Sequence, residues 1–245
     1  MKKTSCFVLT AGFIALSAVA SAQLTLPLTD NFASLGNPDH GWVTYENDPV
    51  TSVVAFSPSA PDGDGFAFEV HDGTGHAATS LANDNGFLKD YRITAMIYLA
   101  SSGGSDWGRV GIIARAQADS PVAFRPKGYY MMADSDGDGY LRVVAYGPDA
   151  SWASVLFEEE DKDNPVHPVT RDAWHEFKLE VTGTSVTAHL DGVEIVSATD
   201  GTYTAPGRIA IYNYRATGST VTTYVDRITI ESTAPAAAND WAIYE

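Results

Sequence analysis

Residues 174–230, WHEFKLEVTGTSVTAHLDGVEIVSATDGTYTAPGRIAIYNYRATGSTVTTYVDRITI, carry the pattern that decides the fold of this chain. Apolar and polar residues alternate over 177–181 and again over 186–190, which is the period-two pattern of strands with one buried face. Asp191-Gly192 follows at once and favours a two-residue turn, because both central positions of that turn need positive φ. The stretch therefore predicts consecutive antiparallel strands joined by tight turns.

The rest of the chain has the same character. No segment shows a 3.6-residue apolar period with caps, whereas short strand-like runs ending in Gly, Asp, Pro or Ser recur throughout. Segments 101–106 and 148–170 are predicted to be loops. An all-β chain with many turns predicts a two-sheet antiparallel jelly-roll sandwich. Beyond the opening block, strands are predicted at 65–70, 90–99, 109–115, 128–133 and 140–146.

The first residues predict export. Lys2 and Lys3 precede an apolar run over 7–19 and small residues at 20–22, which is the composition of a cleaved signal peptide. No segment reaches the length of a membrane span. We therefore expect a signal peptide at 1–22, one domain at 23–232, a linker-like tail at 233–245, and a secreted or periplasmic protein. The only cysteine, Cys6, lies in the signal, so no disulfide is expected.

The charge of the chain excludes one class of partner. The formal net charge is −16 at pH 7, and phosphate binding depends on lysine and arginine, so nucleic acid is not expected. Acidic residues keep an exported protein soluble, and they also provide ligands for cations.

Four short blocks resemble the C-terminal half of concanavalin A-like lectin/glucanase jelly rolls. Laminin G-like domains and 3-keto-disaccharide hydrolase-type domains are the nearest named relatives, and Asp30-Asn31-Phe32 and Gly128-Tyr129-Tyr130 fit the first half of such a chain. The resemblance covers the mature domain and implies fold more specifically than activity, since this superfamily includes lectins, glycosidases, lyases and adhesion modules. The four blocks are Trp174-His175-Glu176-Phe177, Leu190-Asp191-Gly192, residues 207–212, and Tyr224-Val225-Asp226-Arg227-Ile228.

The catalytic motifs of the enzymes in that superfamily are missing. No strand carries the alternating carboxylates that a glycosidase uses, no histidine pair has metal-ligand spacing, and no Gly-x-Ser-x-Gly elbow is present. The favoured function is carbohydrate binding. The alternatives are a glycoside or keto-sugar hydrolase acting with Arg115, Tyr130 and Glu159, and a surface adhesion module.

Six residues are predicted to bind the carbohydrate, on strand faces opposite the apolar parity and on a neighbouring loop. Tyrosine and tryptophan rings stack on pyranose rings, and arginine offers a fixed fork of donors that suits an acidic sugar. Cross-strand pairing alone is an equally valid reason for Tyr and Arg on strand exteriors. The predicted ligand-binding residues are Tyr98, Arg109, Arg115, Tyr130, Arg142 and Trp152.

A structural calcium ion is a further prediction. Asp226 shares strand parity with apolar neighbours, so its carboxylate needs a partner at the rim of the core. The resemblance implies that the first and last strands lie together, which places Asp30 or Asn31 beside Asp226 as ligands for Ca²⁺. A hydrogen bond to backbone amides or to an arginine is the alternative.

Two Asp-Gly segments resemble calcium loops less closely. Residues 134–139 have acids at positions 1, 3 and 5, but position 12 is Ala145 instead of a bidentate glutamate. We therefore favour a hairpin turn there. Asp62-Gly63-Asp64-Gly65 is a weaker copy with the same interpretation.

Overall fold

All regular secondary structure among the described residues of the computed structural model is β-strand, with no α-helix among them. No helix in this part of the chain is long and apolar enough to cross a membrane. The described residues are 26–35, 42–46, 50–56, 60–71, 76–81, 88–100, 108–117, 126–134, 139–147, 152–159, 161, 163–215 and 221–233.

One layer, sheet A, has the strand order β13-β12-β11-β6-β15-β4-β3, and β1 pairs with the second half of β15. All of its pairs are antiparallel. Its strands are β1 (Leu28–Asp30), β3 (Val50–Ala55), β4 (Phe66–His71), β6 (Tyr91–Leu99), β11 (Trp174–Thr182), β12 (Ser185–Leu190), β13 (Val193–Thr199) and β15 (Thr222–Ser232).

The other layer, sheet B, has the order β10-β9-β8-β7-β14-β5-β2 and is also antiparallel throughout. Its strands are β2 (Trp42–Glu46), β5 (His76–Leu81), β7 (Gly108–Gln117), β8 (Lys127–Asp134), β9 (Tyr140–Tyr146), β10 (Trp152–Glu158) and β14 (Arg208–Arg215).

The core lies between the two sheets and follows the predicted alternation. On β6 every second residue from Tyr91 to Leu99 is buried, and on β11 His175, Phe177, Leu179 and Val181 are buried in the same way. Burial of this continuous apolar layer is the main favourable term for folding. The all-β, two-sheet jelly-roll prediction is confirmed.

The local predictions hold where the pattern was clear. Asp191 and Gly192 have φ of 50° and 79° and close the β12–β13 hairpin, as the two-residue turn requires. The five additional predicted strands correspond to β4, β6, β7, β8 and β9. The loop prediction for 148–170 is wrong in part, because β10 lies inside it. This edge strand has register shifts against β9, which break the period-two pattern.

Candidate functional site

The face of sheet B that points away from the core carries a row of charged residues at one end. Cross-strand register places Arg109 opposite Asp134 and Arg142 opposite Glu158. Arg142 lies diagonally across from Asp134, which is two residues along β8 from its partner Met132. We call Arg109, Asp134, Arg142 and Glu158 the charged array.

Ion pairs link the array into a chain. Arg109 Nε donates to Asp134 Oδ1 at 2.6 Å, and Arg142 Nη1 lies 2.7 Å from Asp134 Oδ2. Arg142 Nε donates to Glu158 Oε1 at 3.0 Å. Asp134 is only 3% exposed, whereas the Glu158 side chain is 32% exposed. The array therefore balances two cations with two anions and reaches solvent mainly at the Glu158 end.

Aromatic rings flank the array. The Arg142 guanidinium lies 4.2 Å from the Tyr140 ring centroid and 4.7 Å from that of Trp152, which are cation–π distances. The Tyr140 hydroxyl donates to Glu158. Burial, and secondarily its bond to Glu158, raises the pKa of Tyr140, so this hydroxyl is a donor at neutral pH. Arg109 lies over Tyr214 on the other side of the array.

Four of the six predicted ligand-binding residues share this face: Arg109, Tyr130, Arg142 and Trp152. Tyr130 is fully buried, contacts Tyr146 and Tyr212 with centroids 5.0 and 5.2 Å apart, and donates its hydroxyl to Pro126 O. It supports the face and is not available to a ligand. Arg109, Arg142 and Trp152 are partly exposed.

Tyr98 lies on the outer face of sheet A. Its ring packs against Trp174 and Tyr224 at 5.3 and 6.1 Å, and Phe56 completes this cluster. The prediction that Tyr98 shares a binding face with the arginines is therefore wrong, because period-two alternation gives parity within one strand but not the sheet to which the strand belongs.

Arg115 is fully buried, so its assignment as a ligand-binding residue is also wrong. Its guanidinium donates to the carbonyl oxygens of Lys89, Gly183 and Tyr203, at 2.8, 2.8 and 2.6 Å, and pairs with Asp90. Its φ of 51° marks the register shift on β7, which turns the side chain away from the outer face of sheet B that carries the charged array. Arg115 thus ties β7 of sheet B to turns at the end of sheet A.

A second candidate site is acidic. Asp62, Asp64 and Asp226 each offer a carboxylate oxygen, and these atoms lie within 4.8 Å of one another. Asp226 is fully buried and lies within the register shift between Val225 and Ile228 of β15, while Asp62 and Asp64 are exposed. Asp62 N donates to Asp226 Oδ2 at 2.9 Å, and Asp226 Oδ1 has no hydrogen-bond partner.

The electrostatics of this trio suit a hard cation. Burial, followed by repulsion from Asp62 and Asp64, raises the pKa of Asp226 to about 7, although the Asp62 amide opposes this shift. A buried oxygen without a partner is costly, and a bound cation would satisfy it. Oxygen atoms this close can share one ion, because Ca²⁺ takes oxygen ligands at 2.3–2.6 Å.

The predicted metal set is corrected at Asp30, whereas Asn31 stays a prediction. β1 does pair with β15, but Asp30 lies opposite Ile228 and accepts hydrogen bonds from Phe32 N and Trp42 Nε1 at 3.1 and 3.0 Å. Asn31 is exposed. Asp226 is grouped instead with the turn that carries Asp62 and Asp64, which the sequence marked only as a weak calcium-loop copy.

A cavity of about 550 Å³ adjoins the charged array at the end of β10. Glu158 belongs to both the cavity lining and the charged array. Glu159 is 5% exposed and accepts hydrogen bonds from Val166 N, His167 N and His167 Nδ1. The lining residues are Phe157, Glu158, Glu159, Asp161, Asn164, Val166 and His167.

Residues 35–231 match the family described as the 3-keto-alpha-glucoside-1,2-lyase-like domain. This chain belongs to that family. The matched range includes both sheets apart from β1 and the last residue of β15, as well as the charged array, the acidic trio and the cavity. No curated protein matches the sequence.

Solved structures share the family's fold at low identity. A carbohydrate-binding module of Bacillus subtilis, CBM66, superposes with a TM-score of 0.55 at 17% identity, covering 78% of this chain and 96% of its own. The cellulose-induced protein Cip1 gives 0.58 at 19% identity, covering 84% and 97%. A Bacteroides ovatus mixed-linkage glucan enzyme of family GH16 gives 0.54 at 15%, covering 83% and 99%. Carbohydrate-binding modules and glycoside hydrolases therefore share this fold.

Sequence reasoning missed the acidic half of the array. The sequence pattern places Asp134 at the start of a hairpin turn and Glu158 in a predicted loop. Gly139, with φ of 84°, supports the hairpin interpretation of 134–139, and residues 135–138 lie outside the described part of the chain. The strand Tyr140–Tyr146 did carry a sequence signal for this face, because its alternating pattern places Tyr140 and Arg142 on the same side.

Proposed function

We propose that this protein binds a poly- or oligosaccharide on the outer face of sheet B. The observation that carries the proposal is the charged array with its partly exposed rings, Tyr140, Trp152 and Tyr214. Aromatic rings supply stacking surface, and carboxylates and guanidinium groups in fixed positions supply acceptors and donors for sugar hydroxyls. Membership of the 3-keto-alpha-glucoside-1,2-lyase-like family also supports a sugar ligand.

The charges of the array modify the sugar class expected from sequence. Both arginines are already paired with carboxylates. The neighbouring cavity contains two further acidic residues, Glu159 and Asp161. An acidic sugar would meet a face whose cations are already neutralised, inside a chain of net charge −16. We therefore infer that the ligand is a neutral glycan.

Affinity electrophoresis tests the proposal. Migration is compared in gels containing neutral polysaccharides (laminarin, lichenan, levan, xyloglucan) and acidic ones (alginate, pectin). Arg142→Lys is expected to abolish retardation by the neutral glycan that binds, because lysine cannot span Asp134 and Glu158 with a planar fork.

Arg92→Lys is the matched control for that experiment. Arg92 also links two acids, Glu180 and Glu231, but on the outer face of sheet A. Equal loss of retardation in both variants, or retardation only by alginate and pectin, would contradict the proposed face and ligand class.

A second candidate function follows from the family match. The family is described as a 3-keto-alpha-glucoside-1,2-lyase-like domain, so the bound sugar can also be a substrate. Such an elimination needs a base for a proton next to a carbonyl. Production of an unsaturated keto-sugar from a 3-keto-glucoside, followed by absorbance and NMR, tests it, and a fully stable substrate would reject it.

We further propose that the acidic trio holds a structural Ca²⁺. The three carboxylates and the unpartnered Asp226 Oδ1 fit a hard cation. The ion would fasten the 60–65 turn to β15, away from the charged array. Calcium titration followed by calorimetry measures this binding, and absence of heat at millimolar calcium would contradict it.

We also propose that the protein is exported after removal of residues 1–22. Those residues lie outside the described part of the chain, so the support is their sequence pattern alone. Mass spectrometry of the protein from an expressing cell should show a mature chain beginning at Gln23, and an intact N-terminus would refute cleavage.

A further inference from the structure

The cavity at the end of β10 contains a histidine held by a buried carboxylate. His167 Nδ1 lies 2.8 Å from Glu159 Oε1, and the same oxygen accepts the His167 backbone N–H at 2.9 Å. The other oxygen, Oε2, accepts Val166 N at 3.1 Å. The carboxylate is therefore fixed by three donors, and the imidazole is fixed through Nδ1.

This geometry selects one tautomer of the neutral imidazole. An ionised carboxylate only accepts hydrogen bonds, so Nδ1 carries the proton and the lone pair lies on Nε2. The ring is further oriented by Phe157, whose centroid lies 5.7 Å away at an interplanar angle of 77°. The His167 side chain is 23% exposed and lines the cavity. A carboxylate-oriented histidine with an accessible lone pair is the usual arrangement of a general base.

The cavity also shares one residue, Glu158, with the proposed sugar face. Glu158 lines the cavity and at the same time accepts hydrogen bonds from Arg142 and Tyr140 of that face. None of the other histidines with described side chains lies in this cavity, since His71, His175 and His189 belong to sheet A.

We propose that His167 Nε2 is a catalytic base that removes a proton from the carbon next to the carbonyl of a bound keto-sugar, and that Glu159 is its positioning residue. This inference rests on the second proposed function. It adds the residue that performs the proton transfer and places the reaction in the cavity at the end of β10.

The step is balanced without an oxidant or reductant. The C2–H bond of a 3-keto-α-glucoside breaks, its proton passes to His167 Nε2, and its electron pair forms an enolate with the C3 carbonyl. The enolate then re-forms the carbonyl, a C1–C2 double bond forms, and the C1–O bond breaks. The departing alkoxide takes a proton from the imidazolium, which returns His167 to its neutral form.

The test uses methyl 3-keto-α-D-glucoside and the full chain in D₂O. Proton NMR follows loss of the C2 proton by exchange, and methanol release follows elimination. Wild-type protein should accelerate both above the buffer rate. His167→Gln should lower both rates on the order of 10²–10⁴-fold, which is the usual contribution of a general base.

His189→Gln is the matched control, since His189 lies on β12 and its nearest carboxylate is 3.9 Å away. It should retain both rates. Glu159→Gln should lower the rates less than His167→Gln and change the pH–rate profile, and ¹⁵N NMR should show His167 shifting from Nδ1–H toward a mixture of tautomers. If Glu159→Gln acted only by destabilising the loop, it would change the unfolding temperature of the protein but leave the tautomer of His167 unchanged.

The outcomes distinguish this inference from carbohydrate binding. Wild-type rates in His167→Gln overturn the base assignment. A wild-type protein that is retarded by a neutral glycan but gives only the buffer exchange rate overturns the catalytic proposal and leaves binding intact. If exchange of the C2 proton depends on His167 but no glycan retards the protein in gels, the base assignment is supported and the polysaccharide-binding function is overturned.

Discussion

Asp226→Asn is the sharpest test of the acidic trio. Asparagine keeps the size of the side chain and an acceptor for the Asp62 N–H, which donates to Asp226 Oδ2 at 2.9 Å. It removes the buried charge and one cation ligand. In the metal-free protein, burial and the neighbouring acids raise the pKa of Asp226 from 3.8 to about 7, so the folded state binds this proton more tightly than the unfolded chain.

The sign and size of the effect follow from linkage. Because the folded state holds the proton over pH 4–7, the stability of the metal-free protein should fall as pH rises through that window and level off above it. At about 1.4 kcal/mol per pKa unit, the full penalty is at most ~4 kcal/mol. For a domain of this size, each kcal/mol corresponds to a change in Tm of about 2–4 °C.

Scanning calorimetry at pH 5 and pH 8, with EDTA or with calcium chloride, measures the prediction. With EDTA, Asp226→Asn should be more stable than wild type at pH 8 and show a much smaller difference at pH 5. Calcium should raise the Tm of wild type at pH 8 but not that of the variant. Asp163→Asn, an exposed change outside the trio, should behave as wild type. Equal calcium stabilisation of Asp226→Asn would refute the reasoning.

Three further predictions concern the rest of the molecule. Trp152→Ala should weaken neutral-glycan binding about tenfold by loss of a stacking ring; unchanged retardation in affinity gels would contradict this. Arg115→Met should lower the free energy of unfolding in urea by about 3–5 kcal/mol, since it leaves buried carbonyls without donors. The Arg92 side chain is 39% exposed, so Arg92→Met should cost under about 1 kcal/mol. Similar losses in the two variants would refute the role given to Arg115. Gly139→Ala should lower the Tm strongly, because φ is 84° and the new Cβ would lie 1.9 Å from Val169 O; a wild-type Tm would disprove that close approach.

The fold could be predicted from sequence because its signals are local. Alternation on β11 and β12 and the Asp191-Gly192 turn specify antiparallel pairing without reference to the rest of the chain. Edge strand β10 escaped this reasoning, since its register shifts interrupt the alternation and its side chains are only partly buried. Pairing of the first strand with the last was expected from the family resemblance and is present.

The sites were predicted less well because they depend on contacts between distant strands. Asp226 was recognised as unusual from its parity, but its partners lie some 160 residues earlier, in the turn containing Asp62 and Asp64. Arg115 and Arg142 look alike as strand arginines, yet one is buried among carbonyls and the other lies over two rings. Arg115 is buried because it lies at the register shift on β7, and the sequence pattern does not predict that shift.

The most direct test of the central claim is hydrogen exchange of the protein with and without an oligosaccharide of the polysaccharide that retards it most. The proposed face predicts slower exchange in peptides covering β9 and β10, residues 140–158, and no change in β12 and β13, residues 185–199, of sheet A. Protection confined to sheet A, with 140–158 unaffected, would contradict carbohydrate binding at the charged array.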